Sequence, residues 1–347
     1  MLAYVYGEDK KLTLQDRPMP RQTDDNAVLR VGATSICGTD LRTYRFGSAK
    51  IKPPRVIGHE VVGTIVSIGR KIKDFQAGDR VQVAPAIGCG ECRPCRAGHT
   101  NLCDRLETIG FEYDGTFTEY MEIPPAAFQR GNVNRISGAV PDIQAVLAEP
   151  VACVVNSHQH LRIQPGDAVA IFGSGFIGCM HAELAFMSGA SQVLVIEVNP
   201  IRAEMARSLN PKILMIDPGK TELGREIRSR TAGQGVDVAI VACSVGSAQA
   251  DAMNIAAKLG RVSLFGGLPG ESKGFIDSNL VHYKEISVHG VHASTPAQNR
   301  QTLQWISEGR LNVKPYSTGV FALKDIEKAF QALNDERIMK AIVVPAA

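Results

Sequence analysis

The stretch DAVAIFGSGFIG, residues 167–178, constrains the fold more than any other part of the chain. An apolar, β-prone run passes directly into a glycine-spaced turn, and the turn opens the helix-length apolar segment CMHAELAFMSGA. A second β-prone run, QVLVIE at 192–197, follows after a crossover-sized gap and ends in Glu197, about twenty residues beyond Gly178. In that context Gly173, Gly175 and Gly178 permit a tight turn and a close approach of backbone to a pyrophosphate. Phe176 and Ile177 then begin a helix whose N-terminus faces the phosphates, and the Glu197 carboxylate suits ribose hydroxyls. A carboxylate there repels a 2′-phosphate, so NAD is expected over NADP. Arg202 argues the other way if it receives that phosphate, and is neutral if it stacks on adenine or pairs at the helix surface.

Further runs, VDVAIVAC (236–243), GRVSLFG (260–266) and EISVHGV (285–291), alternate with helix-length segments, as a doubly wound parallel sheet requires. Before residue 150 the texture differs. Short Val/Ile runs are broken by Gly and Pro, as in PPRVIGHEVVGTIVSIGRKIKDFQAGDRVQVAP, which is the punctuation of a β-rich, barrel-like domain. At 347 residues the chain has room for both. The expected class is therefore α/β, a β-rich domain plus a Rossmann sheet.

Residues 89–103, CGECRPCRAGHTNLC, hold four cysteines. The N-terminus has no basic start, apolar stretch and small-residue cleavage site, and no apolar run approaches the roughly 20 residues that span a bilayer, so a soluble cytoplasmic protein is expected. Thiols stay reduced in that compartment, which turns a tight cysteine cluster towards metal binding. Cys89, Cys92, Cys95 and Cys103 form a closed tetrahedral shell for a structural zinc in a lobe over 88–104; an iron–sulfur cluster or a redox thiol pair would draw on the same residues. The net charge is only +3 and the basic residues are scattered, so neither nucleic acid nor a membrane surface is called for, and a small neutral or weakly anionic partner fits better.

A second constellation lies outside the lobe. ICGTD supplies Cys37, Thr39 and Asp40, GHE supplies His59 and Glu60, and AEP supplies Glu149 where the two textures meet. Each has a plain alternative: a small buried thiol, a core histidine, a helix-start carboxylate. Together, beside a dinucleotide fold, they look like a zinc site with oxygen ligands and room for exchange.

Taken in order, Cys37, Gly58-His59-Glu60, the four lobe cysteines and GSGFIG resemble the zinc-dependent medium-chain alcohol dehydrogenase superfamily, and the Glu149-Pro150 junction is similar to its sorbitol and polyol dehydrogenase branch. The resemblance covers nearly the whole chain. It implies a GroES-like catalytic domain over 1–149, a Rossmann NAD-binding domain over 150–289, and a return to the catalytic domain over 290–347. It also implies two zinc ions per chain, with Cys37 and His59 as fixed catalytic ligands and Glu60 and Glu149 competing with water or substrate for the remaining positions. The implied reaction is oxidation of a secondary hydroxyl of a polyol, a sugar alcohol or its phosphate, with L-threonine 3-dehydrogenase as the alternative enzyme. A non-catalytic, zinc-stabilised dinucleotide sensor is the alternative of another class, and it would need neither Thr39 nor Glu60.

In this scheme Thr39 passes the proton outward and Asp40 orients His59. One cysteinate and two carboxylates outweigh a divalent ion, so one carboxylate is expected to swing away as the alkoxide arrives. Many relatives have a histidine five residues after the catalytic cysteine, where this chain has Arg42, a group that cannot accept a proton. Arg42, Arg45, Lys50, Lys52 and Arg55 lie close together in sequence and form either a solvated basic loop or a grip for an anionic substrate group. Cys153, Cys179 and Cys243 are expected to be buried small residues. His158, His160, His181, His282, His289 and His292 share no ligand spacing and are assigned surface or packing roles. EISVHGV, as a sheet edge, suggests pairing across a two-fold axis in a homodimer or homotetramer.

Overall fold

In the computed structural model, which describes residues 1–268 and 274–345, the β-prone runs assemble into two compact units, Met1–Ala152 with Ala293–Ala347, and Cys153–His292.

The first unit is built on a seven-stranded sheet in the order Val133–Arg135, Arg80–Val83, Glu60–Ile68, Ala27–Ser35, Ala341–Val344, Gly319–Ala322, with Tyr120–Ile123 also paired to Ala27–Ser35. Its central strands are rich in β-branched residues and bury Val31, Val61 and Ile65 against Val81 and Val83. Two register shifts bend the long antiparallel pair, and the register at its end sets Ser35 opposite Glu60. On the other side of the same strand, Ile342 lies opposite Ser35. Ser35 is thus flanked by Glu60 and by the start of the C-terminal strand. The helix Ile326–Asn334 covers a second core, burying Ile326, Ala329 and Phe330 at helical spacing. Phe330 packs against Tyr4 and Phe117, with ring centroids 5.9 and 6.0 Å apart.

The second unit is a six-stranded, wholly parallel sheet ordered Leu214–Ile216, Gln192–Ile196, Ala168–Phe172, Val236–Val241, Ala256–Leu264, Ser287–Gly290. The first strand in the chain is central and the order reverses beside it, which is the doubly wound arrangement. Its central strands Ala168–Phe172 and Val236–Val241 are buried on both faces, which explains why they read as continuous apolar runs rather than alternating ones. One strand, Leu214–Ile216, was not expected from sequence, because three residues are too few for any periodicity to declare itself.

Gly178 is required by this packing, because a Cβ there would stand 1.9 Å from the carbonyl oxygen of Gly173. The turn between the first strand and the helix Phe176–Met187 closes only with glycine at that position.

Candidate active site

In the first unit Cys37 caps the N-terminus of the helix Gly38–Phe46, and His59 immediately precedes the strand Glu60–Ile68. Gly58, at φ +92°, presses against Thr116 and Phe117 where any side chain would collide, and so fixes the backbone that presents His59. One ligand atom each of Cys37, His59 and Glu60 lies within 4.8 Å of the others.

Asp40 organises two of the three. Its Oδ2 accepts the Cys37 backbone N–H at 2.9 Å, and its Oδ1 stands 3.5 Å from His59 Nδ1. Burial opposes a charge on His59, but Asp40 and then the Cys37 sulfur outweigh it and hold its pKa well above the ordinary histidine value. Surroundings that favour a proton on this ring also favour a metal cation beside it. A half-buried thiol, a buried imidazole oriented by a carboxylate and a buried carboxylate form a donor set suited to zinc.

Glu60 is fully buried and has partners that its sequence context did not reveal. Lys340 Nζ lies 2.6 Å from its Oε2 and 2.9 Å from its Oε1, Ser35 Oγ donates to Oε2, and Lys340 also donates to the Ile36 carbonyl at 2.9 Å. Burial works against the Lys340 charge, yet Glu60, and after it Cys37, raise its pKa above the usual lysine value. Lys340 therefore alters the charge balance that sequence reasoning drew up without it, offsetting one of the two carboxylates. The signal was present in sequence as a lysine set directly before the apolar strand AIVV.

Glu149 lies buried in the first turn of the helix Ala148–Leu161, outside the group of three, and its charge acts on Lys340. Thr39 is exposed in the first turn of the helix Gly38–Phe46, as is Arg42 further along it. Of the basic cluster, Arg45 Nε donates to Asn334 Oδ1 at 2.6 Å and Arg55 pairs with Asp114 at 3.3 Å, so two of the five cations already have partners.

The lobe brings Cys89, Cys92, Cys95 and Cys103 together with their sulfurs within 4.8 Å, and all four are free thiols. Backbone N–H groups point at the sulfurs: Cys89 N–H to Cys103 Sγ at 3.2 Å, Cys92 N–H to Cys89 Sγ at 3.4 Å, and Arg105 N–H to Cys103 Sγ at 3.2 Å. Such donors stabilise thiolates, the form that binds a metal.

In the second unit the glycine turn and the end of the second strand are joined through Glu197. Its Oε2 accepts from Ser174 N–H at 2.8 Å and Ser174 Oγ at 2.9 Å, and its Oε1 accepts from Asn199 N–H at 2.9 Å. Gly175 caps the helix that Phe176 and Ile177 begin, and Arg202 lies over it, with Nη1 3.0 Å from where a Cβ would sit. Ser174 and Asn199 were not singled out from sequence, although Ser174 occupies the variable position of the glycine motif itself.

Two family models match the chain: Alcohol dehydrogenase GroES-like domain over residues 23–130, inside the first unit, and Zinc-binding dehydrogenase over residues 177–308, most of it in the second. A curated relative, the L-threonine 3-dehydrogenase of Alteromonas mediterranea, is 30% identical over 96% of this chain and 96% of its own length. The chain belongs to the zinc-dependent alcohol dehydrogenases. This dehydrogenase is also similar to the L-galactonate-5-dehydrogenase of Escherichia coli, at 28% identity over 99% of this chain and 98% of that one. A zinc-binding dehydrogenase of Sinorhizobium meliloti solved bound to NADP superposes with a TM-score of 0.91, at 26% identity, covering 99% of both chains. The protein is thus an oxidoreductase of a zinc-binding, dinucleotide-using family, with a GroES-like unit and a Rossmann-like unit. Among its described residues no helix is long and apolar enough to cross a membrane.

Proposed function

We propose that this dehydrogenase oxidises a secondary hydroxyl of a polyol-like substrate, a sugar alcohol, its phosphate or a related hydroxy acid, to the ketone, using NAD and carrying two zinc ions per chain. The observation that carries the reading is the convergence of Cys37, His59 and Glu60 within 4.8 Å. Cys37 and His59 are the fixed ligands of one zinc, Glu60 and Glu149 are its exchangeable carboxylates, and the four lobe cysteines hold the other. When bound, the catalytic zinc lowers the pKa of a coordinated hydroxyl towards about 7 and NAD accepts the hydride.

The protein's own residues do the rest. Asp40 holds the Cys37 backbone and the His59 ring in one arrangement. Lys340 and Ser35 give Glu60 a resting place, so its carboxylate can leave the ligand set without being stranded as an unpaired buried charge. The exposed Thr39 hydroxyl carries the proton towards water, since Arg42 cannot accept it.

Glu197 supports NAD. Three donors hold its carboxylate at the end of the second strand, where it suits a ribose diol and repels a 2′-phosphate. The NADP in the Sinorhizobium meliloti structure belongs to that protein. L-Threonine is the second reading for the substrate, favoured by the Alteromonas mediterranea relative. The substrates named for both curated relatives, L-threonine and L-galactonate, carry a carboxylate as well as a secondary hydroxyl. On the catalytic helix the exposed Arg42 is the cation best able to meet such an anion, in place of the engaged Arg45. The edge strand Ser287–Gly290 pairs only with Ala256–Leu264 among the described strands and suits association with a second copy, as a homodimer or homotetramer in the cytoplasm.

Formation of NADH over a panel of polyols, their phosphates, sugar acids and L-threonine tests the reading. Turnover of a polyol-like compound is expected. Turnover of threonine alone selects the second reading, and binding of NAD without turnover of anything leaves a dinucleotide sensor.

A further inference from the structure

Four thiolates around one divalent zinc leave a net charge of −2, and the lobe must offset it in a largely solvent-exposed setting. Backbone N–H groups supply part of the compensation. Arg105 contributes in two ways: its N–H donates to Cys103 Sγ at 3.2 Å, and its guanidinium lies beside the Cys89 sulfur. It follows the last cysteine by two residues, so the same short turn delivers both contacts. The guanidinium also meets Glu91, and both of these side chains are mostly exposed, at 65% and 69%. A second arginine, Arg130, lies against Gly90 from outside the lobe, where any side chain at that glycine would overlap its guanidinium.

We propose that Arg105 is a positioning residue for the structural zinc, its guanidinium acting as the counter-ion of the Cys89 thiolate and slowing release of the metal. The inference rests on the lobe being a zinc site. Its competitor is a purely mechanical role, in which Arg105 matters only because its ion pair with Glu91 staples the loop.

The two roles predict opposite behaviour for the partner carboxylate. If the guanidinium is a counter-ion, removing the Glu91 charge leaves it to the thiolate, and zinc is held as well or better. If the pair is a staple, breaking it from either side loosens the lobe equally.

The test uses the full chain carrying Cys37→Ser, so that the lobe holds its only zinc, and follows transfer of the metal to a chromogenic chelator at neutral pH. Arg105→Gln is expected to release zinc about tenfold faster, at the low end of what outer-shell substitutions cost a metal site. Arg105→Lys should fall between the two, because it keeps the charge but loses the planar fork. Glu91→Gln should be no faster than its parent. Equal release from Arg105→Gln and its parent overturns the role of Arg105 while leaving the lobe a zinc site. Release from Glu91→Gln as fast as from Arg105→Gln overturns it in favour of the staple. A Cys37→Ser parent that contains no zinc removes the premise, and with it the proposed structural metal.

Discussion

Lys340 Nζ stands 2.6 Å from Glu60 Oε2, with the two side chains 6% and 0% exposed, in an ion pair closed to solvent. A pair this deeply buried costs much of its Coulomb energy in desolvation, so its net contribution to stability is small, whereas losing one member leaves the other charged in a low-dielectric setting. Lys340→Met should therefore destabilise the protein by about 3–5 kcal/mol, while Lys340→Met with Glu60→Gln should recover most of the loss. Denaturant unfolding of the two variants measures this. A single variant as stable as wild type would show that Glu60 finds its neutrality elsewhere.

The two proposed zinc sites should separate on substitution. Cys37→Ser is expected to abolish turnover and remove one zinc, with little change in the thermal midpoint, because the cores around Phe330 and Val61 do not depend on that metal. Cys92→Ser should also cost one zinc but lower the midpoint by roughly 5 °C or more, since a structural zinc contributes folding free energy directly. Metal content read beside the melting curve checks both. A Cys37→Ser protein that keeps its full zinc content would mean that the metal sits elsewhere.

What could be read from sequence was local. The strand, glycine turn and helix around Gly173–Gly178 lie in one contiguous segment, and the four lobe cysteines in another. The central strands were legible because burial on both faces makes them uniformly apolar. Leu214–Ile216 was too short to stand out. At the site, Glu60 was visible as a donor but its counter-ion was not, because Lys340 lies 280 residues away and reaches it only through pairing of the Ala341–Val344 and Ala27–Ser35 strands. Arg45 and Arg55 looked available for an anion because their partners, Asn334 and Asp114, likewise lie far along the chain.

Acid should weaken the second unit through a histidine pair. His158 Nε2 and His181 Nδ1 are 3.2 Å apart, and their outer nitrogens are buried with no hydrogen-bond partner among the described residues. Burial pushes His158 down to about 3 and, with His158 beside it, holds His181 well below the ordinary 6.5. Both rings stay neutral in the folded protein but take up protons in the unfolded chain once the pH drops below 6.5. The stability present above that value is therefore lost as the pH falls towards 3. Each ring adds a slope of about 1.4 kcal/mol per pH unit over that window. Replacing both by leucine removes donor and acceptor together and should flatten the acid limb of the unfolding free energy while changing stability little at pH 8, taken as roughly the alkaline end of the usual stability plateau. An unchanged slope in the double variant would assign the acid sensitivity to other groups.

Cofactor choice should turn on the charge of Glu197 rather than on its hydrogen bonds. Glu197→Gln keeps a carbonyl oxygen able to accept from Ser174 and so can preserve the glycine turn, but it removes the negative charge that faces a 2′-phosphate. Glu197→Ala removes both, leaving the Ser174 and Asn199 N–H groups without their carboxylate. If charge is decisive, Gln should raise kcat/KM for NADP about tenfold with a modest loss for NAD, whereas Ala should impair both cofactors as the turn loosens. Arg202, held over Gly175, would then supply the attraction for the phosphate, and Glu197→Gln with Arg202→Ala should lose the gain. Steady-state kinetics with each cofactor decide the point. A wild-type preference for NADP would reverse the assignment, making Arg202 the residue that selects the cofactor and Glu197 a brace for the turn.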